Sequence, residues 1–520
     1  MPAVVVVSEA GGATNGDFPA KLTKQVVICS IIAAFGGLMF GYDIGISGGV
    51  TSMDDFLLEF FPVVYSKKHL AKENNYCKYD NQFLQLFTSS LYLAAIVASF
   101  VASIACKKFG RKITIQTASV LFVIGSILST VAKNLGMLIA GRICLGAGVG
   151  FGNLAVPLFI SEIAPTRYRG GLNICFQLLI TVGILCANFV NYGTSRIHPY
   201  GWRVSLGGAA VPALILLIGS VIIKETPTSL VERGKKEAGK ETLKKIRGVE
   251  DVEKEFQSIV QATEIAKQTK HSYKSLLKRS SRPQLVVSIL LQVFQQFTGI
   301  NVIMFYAPVL FQTMGFGSDA SLLSAAVTGS VNVVATLVAN FLVDRVGRKK
   351  LLIEAAVQML IAQSVIGTII ASHLKTTNTM PPKFAGIVVI LICVFVSGFA
   401  WSWGPLGWLI PSEIFPLEVR NAGFFSAVST NMLFTFLIAQ AFLTMLCHMR
   451  AGIFFFFAAW IVVMLLFAIF LLPETKGIPI DEMTERVWKK HWFWKKYYDD
   501  EDNGKEDQQV QPNKPEEELI

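Results

Sequence analysis

The chain is poor in charged residues. Only 16% of its 520 residues are Asp, Glu, Lys or Arg, whereas soluble globular proteins carry about 25%. Hydrophobic residues make up 52% of the chain, and its mean hydropathy is +0.51. This composition excludes an ordinary soluble enzyme or binding domain and indicates an integral membrane protein with several spans.

Several functional signatures are also missing. No Gly-rich phosphate loop ending in Lys-Ser/Thr and no Cys/His metal spacing occurs, so we expect no ATP-driven pump, no enzyme and no metal or other cofactor. Residues 1–20 lack a basic segment followed by an apolar core, so the first span is expected to serve as an uncleaved insertion signal. The net charge of +11 resides in short loops between apolar runs, which argues against a nucleic-acid partner.

What the chain has is about twelve apolar runs, since about 20 apolar residues suffice to cross a bilayer. Their centres lie near residues 35, 94, 122, 148, 181, 213, 298, 331, 361, 396, 434 and 462. The loops 106–112 and 344–350 are short and basic, and by the positive-inside rule they face the cytoplasm. The same rule places the central linker and both termini in the cytoplasm.

The predicted organisation has five parts, all helical where ordered. A cytoplasmic tail (1–24) precedes a six-helix bundle (25–223), in which 53–80 form an extracellular loop or lid. A cytoplasmic linker (224–283) contains apolar residues at helical spacing, such as Leu243, Ile246 and Phe256. A second six-helix bundle (284–472) leads into a tail (473–520) that is largely disordered beyond the basic-aromatic patch Trp488–Tyr498, which is expected on the inner leaflet.

The two halves repeat each other's motifs in the same order. Three pairs correspond: Gly110-Arg111-Lys112 with Gly347-Arg348-Lys349, Ser161-Glu162 with Ser412-Glu413, and Glu225-Thr226 with Glu474-Thr475. An internal repeat of six spans predicts the major facilitator fold, in which the substrate site lies near the membrane midplane between the halves.

Span 7 contains an unusual polar stretch, Gln295-Gln296-Phe297-Thr298-Gly299-Ile300-Asn301. Side-chain amides carry both donors and an acceptor, so several of them suit a neutral polyol or sugar. Gly299 allows the helix to loosen beside a cavity. The alternative is that the amides only hydrogen-bond neighbouring helices, a common use of polar residues in membranes.

The sequence resembles the sugar porter family of the major facilitator superfamily, and within it the plant monosaccharide/proton symporters. The motifs that carry the resemblance are Gly110-Arg111-Lys112, Gln177–Gly183, Gln295–Asn301, Asp344–Lys349, Gly404-Pro405-Leu406-Gly407-Trp408 and Pro473–Gly477. One departure is Lys107, where the family signature carries an aspartate.

The resemblance implies a set of sugar ligands. They are Gln177, Gln295, Gln296, Asn301, Asn332, Trp408 and Asn431, with Phe40, Ile184 and Thr435 as wall residues. Trp408 follows Gly404-Pro405, where a break in span 10 is expected, and its indole can stack on the apolar face of a sugar ring.

Two charges lie deep in the predicted spans, Asp43 and Arg142. One interpretation is a static ion pair between spans 1 and 4. The other is a proton switch, because pairing favours the charged carboxylate whereas separation in an apolar site favours its protonated form. The resemblance assigns the same roles, Asp43 as proton acceptor and Arg142 as its modulator. All six histidines fall in predicted loops or the tail, so none is expected to carry the proton.

Charged residues at the cytoplasmic ends of the spans form a further set. By resemblance they are an inner gate of salt bridges between the bundles: Arg111, Glu162, Arg169, Asp344, Arg348, Glu413 and Arg420. Interfacial snorkelling of the basic side chains is the alternative.

The cysteines divide unequally between the two faces. Only Cys77 and Cys447, in opposite halves, are expected on the oxidising side, which suggests a disulfide between the first outer loop and the second bundle. Two free thiols are the alternative.

Three functions remain open. The first is proton-coupled import of a monosaccharide, such as a hexose, across the plasma membrane, with sugar, proton and bilayer as partners and no oligomer required. The second is a passive uniporter, which has no need of a buried acid at Asp43. The third is a sugar receptor that does not transport.

Overall fold

The computed structural model describes residues 23–69, 76–165, 169–268, 272–374, 380–415, 419–476, 478 and 483–498. Within them, twelve helical spans are long and apolar enough to cross a bilayer, which confirms the expected all-helical membrane fold. In order, spans 1 to 12 are Lys24–Val50, Gln82–Phe109, Arg111–Thr130, Leu135–Ile163, Leu172–Thr194, Gly201–Ile222, Arg279–Thr313, Ser318–Val343, Arg348–His373, Pro382–Pro411, Ala422–Met449 and Gly452–Phe470.

The linker between spans 6 and 7 folds into short helices: Pro227–Glu232, Lys236–Arg247, Glu253–Gln268 and Ser272–Leu276. Leu243 and Phe256 pack together in a small apolar cluster, as their helical spacing indicates. The Thr23 hydroxyl, at the start of span 1, donates to the Ile246 carbonyl (2.8 Å). This contact defines the linker side of the molecule.

The loop after span 1 lies on the opposite side and carries two short helices, Asp54–Phe60 and Pro62–His69. We call residues 54–80 the lid and this side the lid side. Phe56 is fully buried, with its ring 5.3 Å from that of Phe87 and 5.7 Å from that of Trp202. The lid is therefore packed onto the first bundle by an aromatic core.

Spans 1 and 5 approach each other closely through glycines. A Cβ atom added at Gly41 would lie 1.9 Å from the Ile180 carbonyl oxygen, and one added at Gly183 would lie 2.4 Å from the Leu38 carbonyl oxygen. Small residues allow such backbone contact in membranes, where apolar side chains gain nothing by leaving lipid. These glycines fix the position of span 1, which carries Asp43.

In the first half, two of the repeated motifs, Gly110-Arg111-Lys112 and Glu225-Thr226, meet to cap the start of span 3. The Glu225 carboxylate accepts hydrogen bonds from the backbone amides of Arg111 (3.0 Å) and Lys112 (3.3 Å). These amides begin span 3, where unpaired N–H groups and the helix dipole favour an anion. Gly110 precedes them with φ of 96°, and an added Cβ would lie 2.1 Å from Glu225 Oε2.

The second half builds the same cap from the matching residues. Glu474 accepts from the amides of Arg348 and Lys349, both at 3.0 Å, and Gly347 has φ of 101°. The repeat read from the sequence is thus a repeated structure: each carboxylate joins the end of a six-span half to the start of that half's third span.

We expect Gly110→Ala to lower the thermal stability of the purified protein more than Gly347→Ala. Both backbones occupy a region nearly restricted to glycine, so each change costs on the order of 1–3 kcal/mol. The alanine at 110 also meets the Glu225 carboxylate at 2.1 Å, whereas the corresponding contact at 347 is 3.0 Å. Gly193→Ala is the control, since nothing lies within 4 Å of its added Cβ. Equal melting temperatures for all three variants would contradict the cap.

Candidate functional site

A cavity of about 1210 Å³ lies between the two halves, including space that opens to solvent. All ten predicted sugar-site residues line it: Phe40, Gln177 and Ile184 from the first half, and Gln295, Gln296, Asn301, Asn332, Trp408, Asn431 and Thr435 from the second. Tyr92, Asn153 and Thr181 also line it and were not singled out in the sequence. The structure brings the predicted set together, and its role in binding remains a prediction.

Span 7 is broken where the polar stretch suggested. One helix ends at Phe297 and the next begins at Ile300, with Gly299 in the left-handed conformation between them (φ 83°). The Thr298 hydroxyl donates to the Gln295 carbonyl (2.8 Å) and accepts from the Ile300 amide (3.2 Å). Because these bonds satisfy the freed backbone groups, the break is tolerated at membrane depth.

Span 10 is also broken, but earlier than expected. Its helices are Pro382–Trp401 and Trp403–Ile414, separated at Ser402 (φ −133°, ψ −88°), so the expectation of a break at Gly404-Pro405 was wrong. Pro405 lies in the first turn of the second helix, where a missing N–H removes no helical hydrogen bond. Trp408 lies one turn farther on and is half-buried against the cavity.

Side-chain amides bind carbonyls of the helix that follows this break. The Gln295 amide donates to the carbonyls of Trp403 (2.9 Å) and Gly404 (3.0 Å), and the Gln292 amide donates to that of Gly407 (2.5 Å). Asn431 donates to both glutamines, at 2.7 and 2.8 Å. Gln292 is absent from the cavity lining and was not predicted, although it precedes Gln295 by one helical turn. In this conformation these amides hold spans 7, 10 and 11 together.

The other cavity amides make fewer hydrogen bonds to the rest of the protein. The Asn301 amide donates to Gln296 Oε1, and the Asn332 amide contacts only the sulfur of Met304 among the described residues, at 3.8 Å. Gln177 is half-buried, and its side chain makes no hydrogen bond to the described part of the chain. Donors and acceptors thus remain for a polar, uncharged ligand.

The two deep charges form an ion pair. Arg142 Nη1 lies 2.6 Å from Asp43 Oδ1, and the side chains are 0% and 1% exposed. Arg142 also donates to the Phe87 carbonyl (2.9 Å) and the Ser47 hydroxyl (2.7 Å), and its guanidinium lies 4.7 Å from the centre of the Phe87 ring. Among the described residues nothing donates to Asp43 Oδ2, so one carboxylate oxygen remains available for a proton.

This ion pair adjoins the cavity through span 1. Phe40 and Ile44, on either side of Asp43 in the sequence, both line the cavity.

Of the histidines, His373 ends span 9 and His448 lies in the last turn of span 11, so the expectation that every histidine lies in a loop or the tail was wrong. Both are at the lid side, far from the centre of their spans.

On the lid side, polar side chains of span 2 hydrogen-bond span 11. Ser89 donates to Gln440 (2.5 Å), and the Gln85 side chain donates to Thr444 (2.9 Å) and accepts from the Leu443 amide (3.1 Å). We call this set the polar seal. Nearby, span 1 meets span 7 so closely that a Cβ added at Gly48 would lie 2.2 Å from the Phe305 carbonyl oxygen.

The lid extends this closure across both halves. Cys77 and Cys447 are joined in a disulfide, with their Cα atoms 4.4 Å apart. The Tyr76 hydroxyl donates to the Leu374 carbonyl (3.0 Å), and burial raises the pKa of Tyr76 to about 12, so it remains a donor at physiological pH. Tyr79 donates to Gln312. The lid is thus attached to the second bundle as well as the first.

The predicted gate residues make a different set of contacts in this conformation. Arg111 pairs with Glu162 (2.7 Å) and with Glu232 of the linker (2.5 Å), so neither pair reaches the second bundle. Arg348 begins span 9 on the Glu474 cap. The side chains of the other predicted gate residues, Arg169, Asp344, Glu413 and Arg420, lie outside the described residues. No ion pair between described side chains joins the bundles at the linker side, and the gate between bundles remains a prediction.

Two six-span halves, a cavity between them, two broken spans and a buried ion pair define a membrane transporter of the major facilitator class. The family model for "Sugar (and other) transporter" matches residues 29–487. Sugar transport protein 8 of Arabidopsis thaliana is 66% identical over 96% of this chain and 98% of its own length. Sugar transport protein MST4 of Oryza sativa subsp. japonica is 61% identical over 94% and 95%. The chain belongs to this family of sugar transporters.

Solved structures give the same fold. The proton:xylose symporter XylE bound to 6-bromo-6-deoxy-D-glucose is 26% identical, with a TM-score of 0.75 over 89% of this chain and 99% of that one. An inward open conformation of the xylose transporter XylE from E. coli matches with a TM-score of 0.70 over 89% and 100%, at 26% identity.

The disulfide predicts that the two halves stay covalently linked when the linker is cut. A protease site inserted at Gly234, an exposed turn with nothing within 4 Å of an added Cβ, should yield two fragments that migrate together on a non-reducing denaturing gel. Reductant or Cys447→Ser should release them. Fragments that separate without reductant, with Cys77 open to alkylation, would rule the bridge out.

Proposed function

We propose that this chain imports monosaccharides, hexoses such as glucose, together with protons across the plasma membrane by alternating access. The observation that carries the proposal is a buried Asp43–Arg142 ion pair beside an amide-lined cavity. A passive sugar carrier needs the cavity but not the buried acid. The structurally similar protein XylE is a proton:xylose symporter, which supports proton coupling here as well.

The cavity suits a sugar because it combines neutral amides with aromatic and aliphatic walls. Gln177, Gln296, Asn301 and Asn332 offer donors and acceptors without charge. The Trp408 indole offers a flat apolar face to the C–H side of a sugar ring. A desolvated hydroxyl without a partner costs about 1–3 kcal/mol, so each matched amide discriminates in favour of a polyol.

The proposed orientation places the linker side in the cytoplasm and the lid side outside. The basic loops lie on the linker side, as the positive-inside rule requires, and the disulfide lies on the side expected to be oxidising. With the twelve spans found in the described residues, this orientation also puts both termini in the cytoplasm. The polar seal and the lid close the outer side, and no ion pair between described side chains joins the bundles at the linker side, so we assign this conformation to the inward-facing part of the cycle.

The proton enters the cycle at Asp43. In the inward-facing conformation the paired carboxylate is charged and Arg142 holds it. When the outer side opens, separation from Arg142 leaves a charge without a partner, and protonation from outside removes that cost. The neutral site accepts sugar, the halves rock inward, and the proton leaves to the cytoplasm as the ion pair forms again.

The membrane potential drives this cycle because one positive charge enters with each sugar. Each 100 mV contributes about 2.3 kcal/mol per charge, and about 1.36 kcal/mol corresponds to a factor of ten. The potential alone therefore supports roughly fiftyfold sugar accumulation per 100 mV.

Asp43→Asn should abolish accumulation of sugar against its gradient while leaving sugar exchange intact, because asparagine imitates the protonated carboxyl. Proteoliposomes with an imposed pH gradient measure accumulation, and counterflow measures exchange. Asp54→Asn is the matched control, since Asp54 pairs with Lys68 in the lid (2.7 Å), away from the cavity. If Asp43→Asn still concentrates sugar with unchanged pH dependence, the protons move by another route.

Gln177→Ala and Asn301→Ala should weaken sugar binding about 5- to 150-fold, from the loss of one matched hydrogen-bonding group, with little change in melting temperature. Gln295→Ala should lower both the sugar affinity and the melting temperature, because the Gln295 amide also donates to the Trp403 and Gly404 carbonyls. Gln358→Ala is the control, since that amide bonds the Val394 carbonyl (2.7 Å) outside the cavity. Wild-type affinity in Gln177→Ala and Asn301→Ala would leave these amides with a packing role only.

A further inference from the structure

The chain segment Met483–Tyr498, which we call the C-terminal clasp, folds back onto the linker side of the second bundle. The Trp492 indole donates to the Phe470 carbonyl (2.9 Å), and the Trp494 indole donates to the Leu471 carbonyl (2.8 Å). These carbonyls end span 12, where no further helical turn supplies a donor. The two indoles therefore fix the clasp at the level where the last span leaves the bilayer.

A second pair of contacts joins the clasp to the start of span 7. Arg279 donates to the Lys496 carbonyl (2.9 Å), and the Tyr498 hydroxyl donates to the Ser280 carbonyl (2.7 Å). Trp488 and Trp494, both in the clasp, are buried. The clasp is thus a built element that bridges spans 7 and 12, and its exposed side chains have a defined position.

The exposed apolar surface of span 12 continues into the clasp. Leu466 and Phe470 are 49% and 54% exposed on the last turns of the span, where the bilayer surrounds them, and Trp492 is 64% exposed directly beyond them. Tryptophan is enriched at this depth because its ring is apolar and its N–H is polar. The hydrogen bond to Phe470 holds that ring in place.

The net charge of the clasp itself is positive, although the sequence turns acidic at Asp499. The clasp contains five basic residues and one acidic residue, 5 − 1 = +4, and Glu485, the acidic one, pairs with Lys489 (3.0 Å). Lys490, Lys495 and Lys496 are exposed. Burial and, secondarily, the nearby Lys349 charge lower the pKa of His491, so the histidine adds no charge at neutral pH.

We propose that the C-terminal clasp is a docking surface for the anionic headgroups of the membrane leaflet on the linker side. Trp492 enters the interfacial layer beside span 12, and the lysines at 490, 495 and 496 contact headgroup phosphates and carboxylates. The cytoplasmic leaflet is the anionic one, and basic residues near its surface are attracted to it. The inference rests on the proposed orientation, which places the clasp in the cytoplasm.

Binding of short-chain lipids to the purified full-length protein in a neutral detergent tests this surface. Dioctanoyl phosphatidylserine should bind at least tenfold more tightly than dioctanoyl phosphatidylcholine at low salt, and the preference should shrink in high salt. The triple variant Lys490→Gln, Lys495→Gln, Lys496→Gln should lose most of it, because it removes the three exposed lysine charges of the clasp. Trp492→Ala should weaken binding of both lipids.

A second triple variant, Lys235→Gln, Lys236→Gln, Lys254→Gln, removes the same charge from exposed linker positions and is the control. Equal phosphatidylserine affinity in the two triple variants would overturn the proposal. So would binding of free glycerophosphoserine as tight as that of the lipid, because this would make the clasp an ordinary anion site.

Orientation is tested separately, by protease treatment of intact cells that carry a tag after residue 520. Cleavage from outside would overturn the proposed topology and with it the leaflet assignment, whereas the lipid measurement in detergent does not depend on topology. If the tag is protected but the wild-type protein shows no preference for phosphatidylserine, the docking surface is overturned and the topology stands. Sugar counterflow by the clasp triple variant in phosphatidylcholine vesicles should match that of the control triple variant, and a loss confined to the clasp variant there would show a structural role instead.

Discussion

The buried ion pair between Asp43 and Arg142 constrains the rest of the structure. Both side chains are essentially inaccessible, and removing one partner from a buried pair costs about 3–5 kcal/mol because the other charge is left desolvated. The pair therefore separates readily only when the carboxyl group is protonated. When span 1 moves away, Arg142 keeps its hydrogen bond to the Phe87 carbonyl of span 2 but loses the Ser47 hydroxyl, which lies on span 1 with Asp43. A guanidinium keeps its charge in proteins, so in the proposed cycle the acid, rather than the base, is the group whose charge state decides the conformation.

The amides of the cavity hold the fold together and, in the proposed function, also bind the substrate. The amides of Gln292 and Gln295 bind carbonyls of the second helix of span 10. Pro411 of that helix leaves the Gly407 carbonyl without a helical donor. Asn431 connects both glutamines from span 11. A sugar that competes for these amides must also alter how spans 7, 10 and 11 hold one another. Binding and rearrangement of the second bundle are thus linked through shared hydrogen bonds.

The sequence predicts most of this arrangement because its signals are local or repeated. Apolar runs locate the spans, and the Gly110 and Gly347 motifs reveal two equivalent halves. Resemblance to a family supplies ten residues that the fold brings to one cavity. What it does not predict depends on contacts between distant elements. The break falls at Ser402, three residues before Pro405, and no local pattern shows that the Arg111 side chain turns to the linker instead of the other bundle.

Span 1 connects the three functional parts of the molecule within nine residues. Phe40 and Ile44 line the cavity, Asp43 carries the buried charge, and Gly48 touches the Phe305 carbonyl where the halves close on the lid side. Arg142 lies on span 4 of the same half, so rocking of the two halves as rigid bodies would move both charges together. In the proposed cycle span 1 must therefore shift relative to span 4 when the contact at Gly48 opens, and this shift separates the ion pair. Because the protonated carboxyl permits that separation at the lowest cost, opening of the outer side and uptake of a proton are coupled in that cycle.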